Sequence, residues 1–243
     1  MFAFNKAVIV AALGSAAFVA TPAAAQVIVN GTTYTSGQSL TLSFNGMSGN
    51  TTYTGLRSEL FLKFNGWNNT GEYLFDFRFK NSSVGHPFSE ATAFGFNTDP
   101  VNPDFRVSSE AGPFRGVSSG SIANSHRVEF CVTGGPNCAG GSSTGPDAGE
   151  TWNGSFVLGF AGNSNPGPIT LSNFHTRYQS VTVGRNNNGG SATGNLVGVT
   201  SHIPALVSPI PEPATWAMML VGFGAVGAAM RRRQSGIRKL RSA

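Results

Sequence analysis

Residues 72–80 constrain the fold more than any other stretch. Tyr73, Phe75, Phe77 and Phe79 alternate there with Leu74, Asp76 and Arg78. Successive side chains of a strand point to opposite faces, so a period of two sends the aromatic set one way and the mainly polar set the other. The stretch therefore reads as a strand with an aromatic face. Similar signals recur along the chain. Val27-Ile28-Val29 and Thr32-Thr33-Tyr34-Thr35 flank Asn30-Gly31, the strongest short hairpin signal. Leu40-Thr41-Leu42-Ser43-Phe44 alternates and meets Asn45-Gly46, and Leu60-Phe61-Leu62-Lys63-Phe64 is expected to stop at Asn65-Gly66. Residues 92–97, 105–108, 127–132, 155–160, 174–183 and 196–200 are further strand candidates. Roughly ten short strands with Gly, Asn and Pro between them predict an all-β domain over residues 26–201, a sandwich or jelly-roll-like arrangement. Low charge (11%), 19 Phe and few helix-forming runs agree with that class.

Two stretches read as loops. Residues 134–149 contain six Gly and two Pro, and residues 186–194 are rich in Asn, Gly and Ser. Both are expected to be too polar and flexible to pack. Residues 202–210, with Pro204 and Pro209, read as an extended stalk leading to Pro211. Cys131 and Cys138 are the only cysteines, and six residues including Gly134-Gly135-Pro136 separate them. In an exported chain such a pair predicts a disulfide at the root of the Gly-rich loop.

Both chain ends carry addresses. Residues 1–25 combine Lys6, an apolar run over 7–20 and a small-residue site ending in Ala23-Ala24-Ala25. That order predicts a secretory signal peptide, cut by signal peptidase between Ala25 and Gln26, with Ala23 and Ala25 forming the small-residue pattern. At the other end, Pro211 and Pro213 flank Glu212 and hold the backbone extended. Residues 214–230 are uncharged, and about 17 residues is the lower limit for a helix spanning a bilayer core. Trp216 marks one edge of that segment. Arg231, Arg232 and Arg233 mark the other and are expected to stay cytoplasmic, together with a basic tail over 234–243.

Pro211-Glu212-Pro213-Ala214-Thr215-Trp216-Ala217, the apolar segment and the arginine cluster together resemble the PEP-CTERM sorting signal, in its PEPxxWA form, over residues 211–233. The resemblance implies a Gram-negative bacterium and a transient encounter with exosortase, a membrane-embedded cysteine transpeptidase that cuts near the Pro-Glu-Pro motif. It also implies an intermediate anchored in the inner membrane, followed by delivery to the cell envelope, surface or exterior. Proteins of this kind accompany exopolysaccharide and biofilm genes.

Charge narrows the remaining possibilities. Lys6 and six bases after Met230 leave nine bases against ten acids in residues 26–210, so the exported domain is near −1 despite a formal +5 for the chain. The basic footprint of a nucleic-acid binder is missing. No cofactor is implied. His86, His126, His175 and His202 have no metal-ligand spacing, so no metal is expected. Asp99, Asp104 and Asp147 lack the calcium-loop pattern. Glu72 and Asp76 share a strand face about 13 Å apart at strand rise, beyond the roughly 5–9.5 Å of glycosidase carboxylate pairs. No catalytic constellation is visible, so the domain reads as structural or adhesive rather than enzymatic. Trp67 and Trp152, with Tyr53 and Tyr178, fall in or near loop-like sequence and are candidates for stacking on sugar rings. A carbohydrate-binding module is therefore the alternative, and a jelly-roll hydrolase a third.

Overall fold

The computed structural model describes residues 25–203 apart from 49, 69, 87, 102–103, 110–113, 124–125, 140–143, 161–166 and 184–185, together with 219–226 and 231. The chain divides into two units, Met1–Thr200 and Ser201–Ala243. Twelve strands follow one another: β1 (Val27–Val29), β2 (Thr32–Tyr34), β3 (Ser39–Ser48), β4 (Thr51–Trp67), β5 (Glu72–Asn81), β6 (Glu90–Asp99), β7 (Asp104–Ser109), β8 (Arg115–Ala123), β9 (His126–Thr133), β10 (Thr151–Gly159), β11 (Ile169–Val183) and β12 (Asn186–His202). The all-β expectation holds.

In place of two separate sheets there is one, in the order β7-β10-β5-β4-β3-β12-β11-β6-β9-β8, with the β1–β2 hairpin attached to β11. The pairings with a described register are antiparallel apart from β1 on β11, which run parallel. The ends of the sheet come together, because a Cβ added at Gly116 of β8 would lie 2.9 Å from the side chains of Phe105 and Val107 on β7. The sheet is thus nearly closed. Long strands make this possible. β4 and β12 each have 17 residues and β11 has 15, and register shifts interrupt the β3–β4, β4–β5, β6–β11 and β11–β12 ladders. A bulge bends and twists a strand locally, which lets one strand pass from one half of a curled sheet to the other.

The aromatic strand supplies the reason for the curl. β5 alternates as its sequence requires: Tyr73, Phe75, Phe77 and Phe79 are buried, while Asp76, Arg78 and Lys80 are exposed. The inward rings meet rings from the opposite half of the sheet. Phe77 and Phe79 each lie 5.2 Å from Phe94 on β6, and Phe96 lies 5.4 Å from Phe156 on β10. The two halves therefore face one another across a single aromatic core, which keeps sandwich-like packing inside a continuous sheet. Each buried Phe contributes about 1.5–3 kcal/mol relative to exposure.

The three Asn-Gly pairs diverge. Asn30-Gly31 closes the β1–β2 hairpin with φ of 48° and 75°, the two positive values that a type I′ turn needs. Asn45-Gly46 and Asn65-Gly66, expected to end strands, lie within β3 and β4 at register shifts. The strands continue through them as bulges, because ladder partners are available on both sides. Residues 186–194, expected to be a loop, belong to β12 and pair with β11, Gly194 opposite Thr176 and Thr193 opposite Arg177. Steric fit explains Gly194: a Cβ there would come within 1.9 Å of Thr176 Oγ1. The room this leaves holds a buried polar cluster in which Ser58 Oγ donates to Thr176 Oγ1 at 3.3 Å and shares a 2.7 Å hydrogen bond with the Tyr178 hydroxyl.

Candidate functional site

The outer face of β3, β4, β5 and β10 carries a surface cleft. β4 presents Arg57, Glu59, Phe61 and Lys63 outward, and β5 presents Asp76, Arg78 and Lys80. Register sets Glu59 opposite Lys80, Phe61 opposite Arg78 and Lys63 opposite Asp76. The Arg78 guanidinium lies 4.3 Å over the Phe61 ring, a cation–π arrangement. Around that pair Thr41, Glu59, Phe61, Arg78, Lys80 and Thr151 line a shallow cleft of about 200 Å³. The cleft offers an aromatic floor and both signs of charge, a setting for a polar ligand. Two carboxylates do not converge there. Glu72, the other carboxylate of β5 considered for hydrolysis, pairs with Arg106 and accepts a 2.6 Å hydrogen bond from Asn68 Nδ2.

The aromatic candidates for sugar stacking are dispersed. Trp67 is in register with Tyr73 and Trp152 with Phe79, so both face inward, at opposite ends of β5. Six residues of strand separate those partners, about 20 Å at strand rise. Trp152 packs its ring at 66° against buried Phe114, with centroids 5.1 Å apart. The tryptophans therefore cap the ends of the core and do not form one platform. Tyr178 is not near a loop but fully buried, and burial pushes its hydroxyl up to about 12. Tyr53 packs edge-on against His86 at 6.3 Å.

Cys131 and Cys138 form the expected disulfide. The loop it roots packs more closely than its composition suggests. Gly134, Gly135, Gly145 and Pro146 are buried. Gly134 donates to the Thr92 carbonyl at 3.1 Å, and the Pro146 carbonyl accepts from Ala91 N and Asn81 Nδ2, both at 3.1 Å. The cross-link also closes a small apolar cluster of Ala93, Ile122, Val128, Cys131 and Cys138.

Sequence spacing misses one juxtaposition. His126 at the start of β9 and His175 on β11 stack with centroids 4.1 Å apart and planes inclined by 32°. Burial, and then the neighbouring His126, hold the His175 pKa below its ordinary value. Only the sheet order brings these strands together, so no linear pattern could have found the pair. Among the described residues no group of three or more His, Cys, Asp or Glu gathers as a metal site.

At the N-terminus, Ala25 is buried, and the Gln26 carbonyl accepts a 3.0 Å hydrogen bond from Ile169 N as β1 joins β11. Ala23 lies outside the described residues, as does the rest of the signal-peptide stretch. In the second unit residues 219–226 are helical, with Met219, Leu220, Val221, Phe223 and Val226 exposed, and Arg231 is exposed too. Among the described residues no helix is long and apolar enough to cross a membrane. Pro211, Glu212, Pro213, Trp216, Ala217, Arg232 and Arg233 lie outside the described residues, as does most of the stalk, whose first residue His202 ends β12.

Comparison with known families matches one segment. Residues 209–233 fit the PEP-CTERM protein-sorting motif. No curated protein and no solved structure matches the chain.

Proposed function

We propose that this chain, which carries a PEP-CTERM sorting motif and is thereby marked for export through a membrane-anchored, exosortase-processed intermediate, is a non-catalytic structural or adhesive component of the cell envelope or extracellular matrix, linked to exopolysaccharide and biofilm. The matched motif at residues 209–233 carries the reading. Signal peptidase removes residues 1–25. The cut leaves β1 whole, because β1 begins at Val27 and Gln26 already bonds to β11. Residues 214–230 then hold the chain in the inner membrane, with Arg231, Arg232 and Arg233 on the cytoplasmic side. The prolines that flank Glu212 favour an extended backbone at the cutting site, the form a protease-like site accepts.

Processing in the native host tests the reading. Glu212→Ala and Pro213→Ala are expected to leave insertion intact and block cutting, so that a full-length species accumulates in the membrane fraction. Unchanged processing in both variants would remove exosortase from the account.

A carbohydrate-binding role is the second reading. The observation that favours it is the Phe61–Arg78 cleft rather than Trp67 and Trp152, which face the core ends. Binding of exopolysaccharide by the wild-type chain that is lost on Phe61→Ala and kept on Trp152→Ala would support it.

A further inference from the structure

Charge is unevenly spread over the domain. Arg57, Lys63, Arg78 and Lys80 share the outer face of β4 and β5 with Glu59 and Asp76. The rest of residues 26–210 carries five bases and eight acids. One face is therefore basic on a domain that is otherwise acidic. Lys63 stands opposite Asp76, which leaves Arg57, Arg78 and Lys80 around Glu59. Register sets Glu59 opposite Lys80, yet among the described residues no carboxylate lies within ion-pair reach of Arg57, Arg78 or Lys80. Arg106 is the cation that pairs, with Glu72 and Asp104. Arg57, Arg78 and Lys80 are exposed.

The surface beneath them is shaped. A second hollow, of about 370 Å³, adjoins the Phe61–Arg78 cleft, and Glu59 lines both. β3 supplies the floor of this trough. Its outward residues Thr41, Ser43 and Asn45 are short and uncharged, and they stand opposite the longer Phe61, Glu59 and Arg57 of β4. Thr151 of β10 bounds one end and the exposed Val197 of β12 the other. β10 and β12 are four strand spacings apart in the sheet, about 19 Å. That length suits an extended polymer rather than a single small anion.

The cations are presented for carboxylates. The Arg78 guanidinium lies flat over the Phe61 ring at 4.3 Å, so its orientation is set in advance while its edge donors stay available for two parallel hydrogen bonds to a carboxylate. Lys80 follows on the same face, about 7 Å along β5 at strand rise. Arg57 is diagonal to Lys80 across the β4–β5 ladder, about 7–8 Å away. Cations spaced in this way match carboxylates repeated along a chain. The strands beneath are all internal to the sheet, so a peptide has no free edge to join. Hydroxyls of Ser43 and Thr151 and the apolar Val197 suit sugar hydroxyls and ring CH groups instead.

We propose that this trough binds a carboxylate-bearing polysaccharide, a polyuronate, with the Arg78 fork on one carboxylate and Lys80 and Arg57 on others along the same chain. Phe61 is a positioning residue that holds Arg78. The proposal rests on the carbohydrate-binding reading and adds the charge of the ligand to it.

Calorimetric titration of the purified full chain with polygalacturonate, its methyl ester and polyglutamate tests it. The methyl ester keeps the sugar backbone without the charge, and polyglutamate keeps the charge without the sugar. Polygalacturonate is expected to bind at least about tenfold more tightly than either, and more weakly as salt rises. Arg78→Ala should weaken binding about tenfold, and Arg78→Lys should restore only part of the loss, because a point charge lacks the fork. Phe61→Leu should weaken it several-fold, whereas Phe61→Tyr, which keeps the ring, should not. Lys63→Ala, outside both hollows, should leave it unchanged. Equal binding of the methyl ester overturns the proposal and leaves the carbohydrate reading standing. Equal binding of polyglutamate, or full binding by Arg78→Ala, also overturns it. Absence of binding to both polysaccharides overturns the proposal and the carbohydrate reading together.

Discussion

Residues 134–149 and residues 186–194 are both rich in Gly and small polar residues, yet one forms a loop and the other a strand. The first leaves β9, is cross-linked at once by Cys131–Cys138, and returns to β10 with its backbone bonded to Thr92, Ala91 and Asn81. The second lies beside β11 and pairs with it across two register shifts. Composition does not separate them. A strand partner does, and so does a reason for each small residue. Gly194 is a strand glycine because Thr176 Oγ1 occupies the space a side chain would need. Weak local β-propensity is overridden by a ladder that long neighbouring strands impose.

Substitutions should break this contrast in graded fashion. Gly194→Val should cost about 3 kcal/mol in chemical unfolding, from overpacking against the buried Ser58–Thr176–Tyr178 cluster. Thr176→Ala in the same chain should recover part of that loss, and strict additivity of the two would refute the steric account. Replacing both cysteines by serine should cost less, about 2–3 kcal/mol, because the closed loop is short. That loss should fall on the 134–149 loop, seen as faster amide exchange at Gly134 and Ala91, while the β12 amides keep their protection. At the small end, Ala139→Val, exposed in the loop, should shift stability by less than about 0.5 kcal/mol.

Alkaline titration sharpens the same comparison from the strand side. Burial raises the Tyr178 hydroxyl from its ordinary value of 10.0 to about 12. The folded state therefore holds this proton more tightly than the unfolded state. Its contribution to stability is complete below pH 10 and is lost as pH rises from 10 to about 12. Tyr178→Phe should lose the hydrogen bond to Ser58, about 1 kcal/mol at neutral pH. It should also flatten the alkaline fall in stability, and an unchanged alkaline profile would show that Tyr178 is not its source.

These regions also mark how far the sequence could be read. The alternation at 72–80 gave β5 its faces, because its inward residues are large and its outward ones charged, and Asn30-Gly31 announced its hairpin. Cys131 and Cys138 could pair in only one way within the chain. β8, with the sequence Arg115-Gly116-Val117-Ser118-Ser119-Gly120-Ser121-Ile122-Ala123, escaped notice because its small residues carry little apolar signal. Asn45-Gly46 and Asn65-Gly66 misled because an Asn-Gly pair fits a bulge as well as a turn, with positive φ at Gly66 but not at Gly46, and the choice depends on long-range pairing. Sheet order, and with it the His126–His175 contact, follows from that same long-range pairing. The sorting tail is the opposite case: its information is linear, an extended proline segment, an apolar run and a basic cluster, and so it was readable without any fold.

The central claim is that residues 209–233 direct sorting and cleavage of this chain. Intact-mass measurement of the wild-type protein recovered outside the inner membrane of its native host tests it most directly. The account predicts a chain that begins at Gln26 and ends near Pro211-Glu212-Pro213, without Arg231, Arg232 and Arg233. A recovered chain that still carries those three arginines would contradict it.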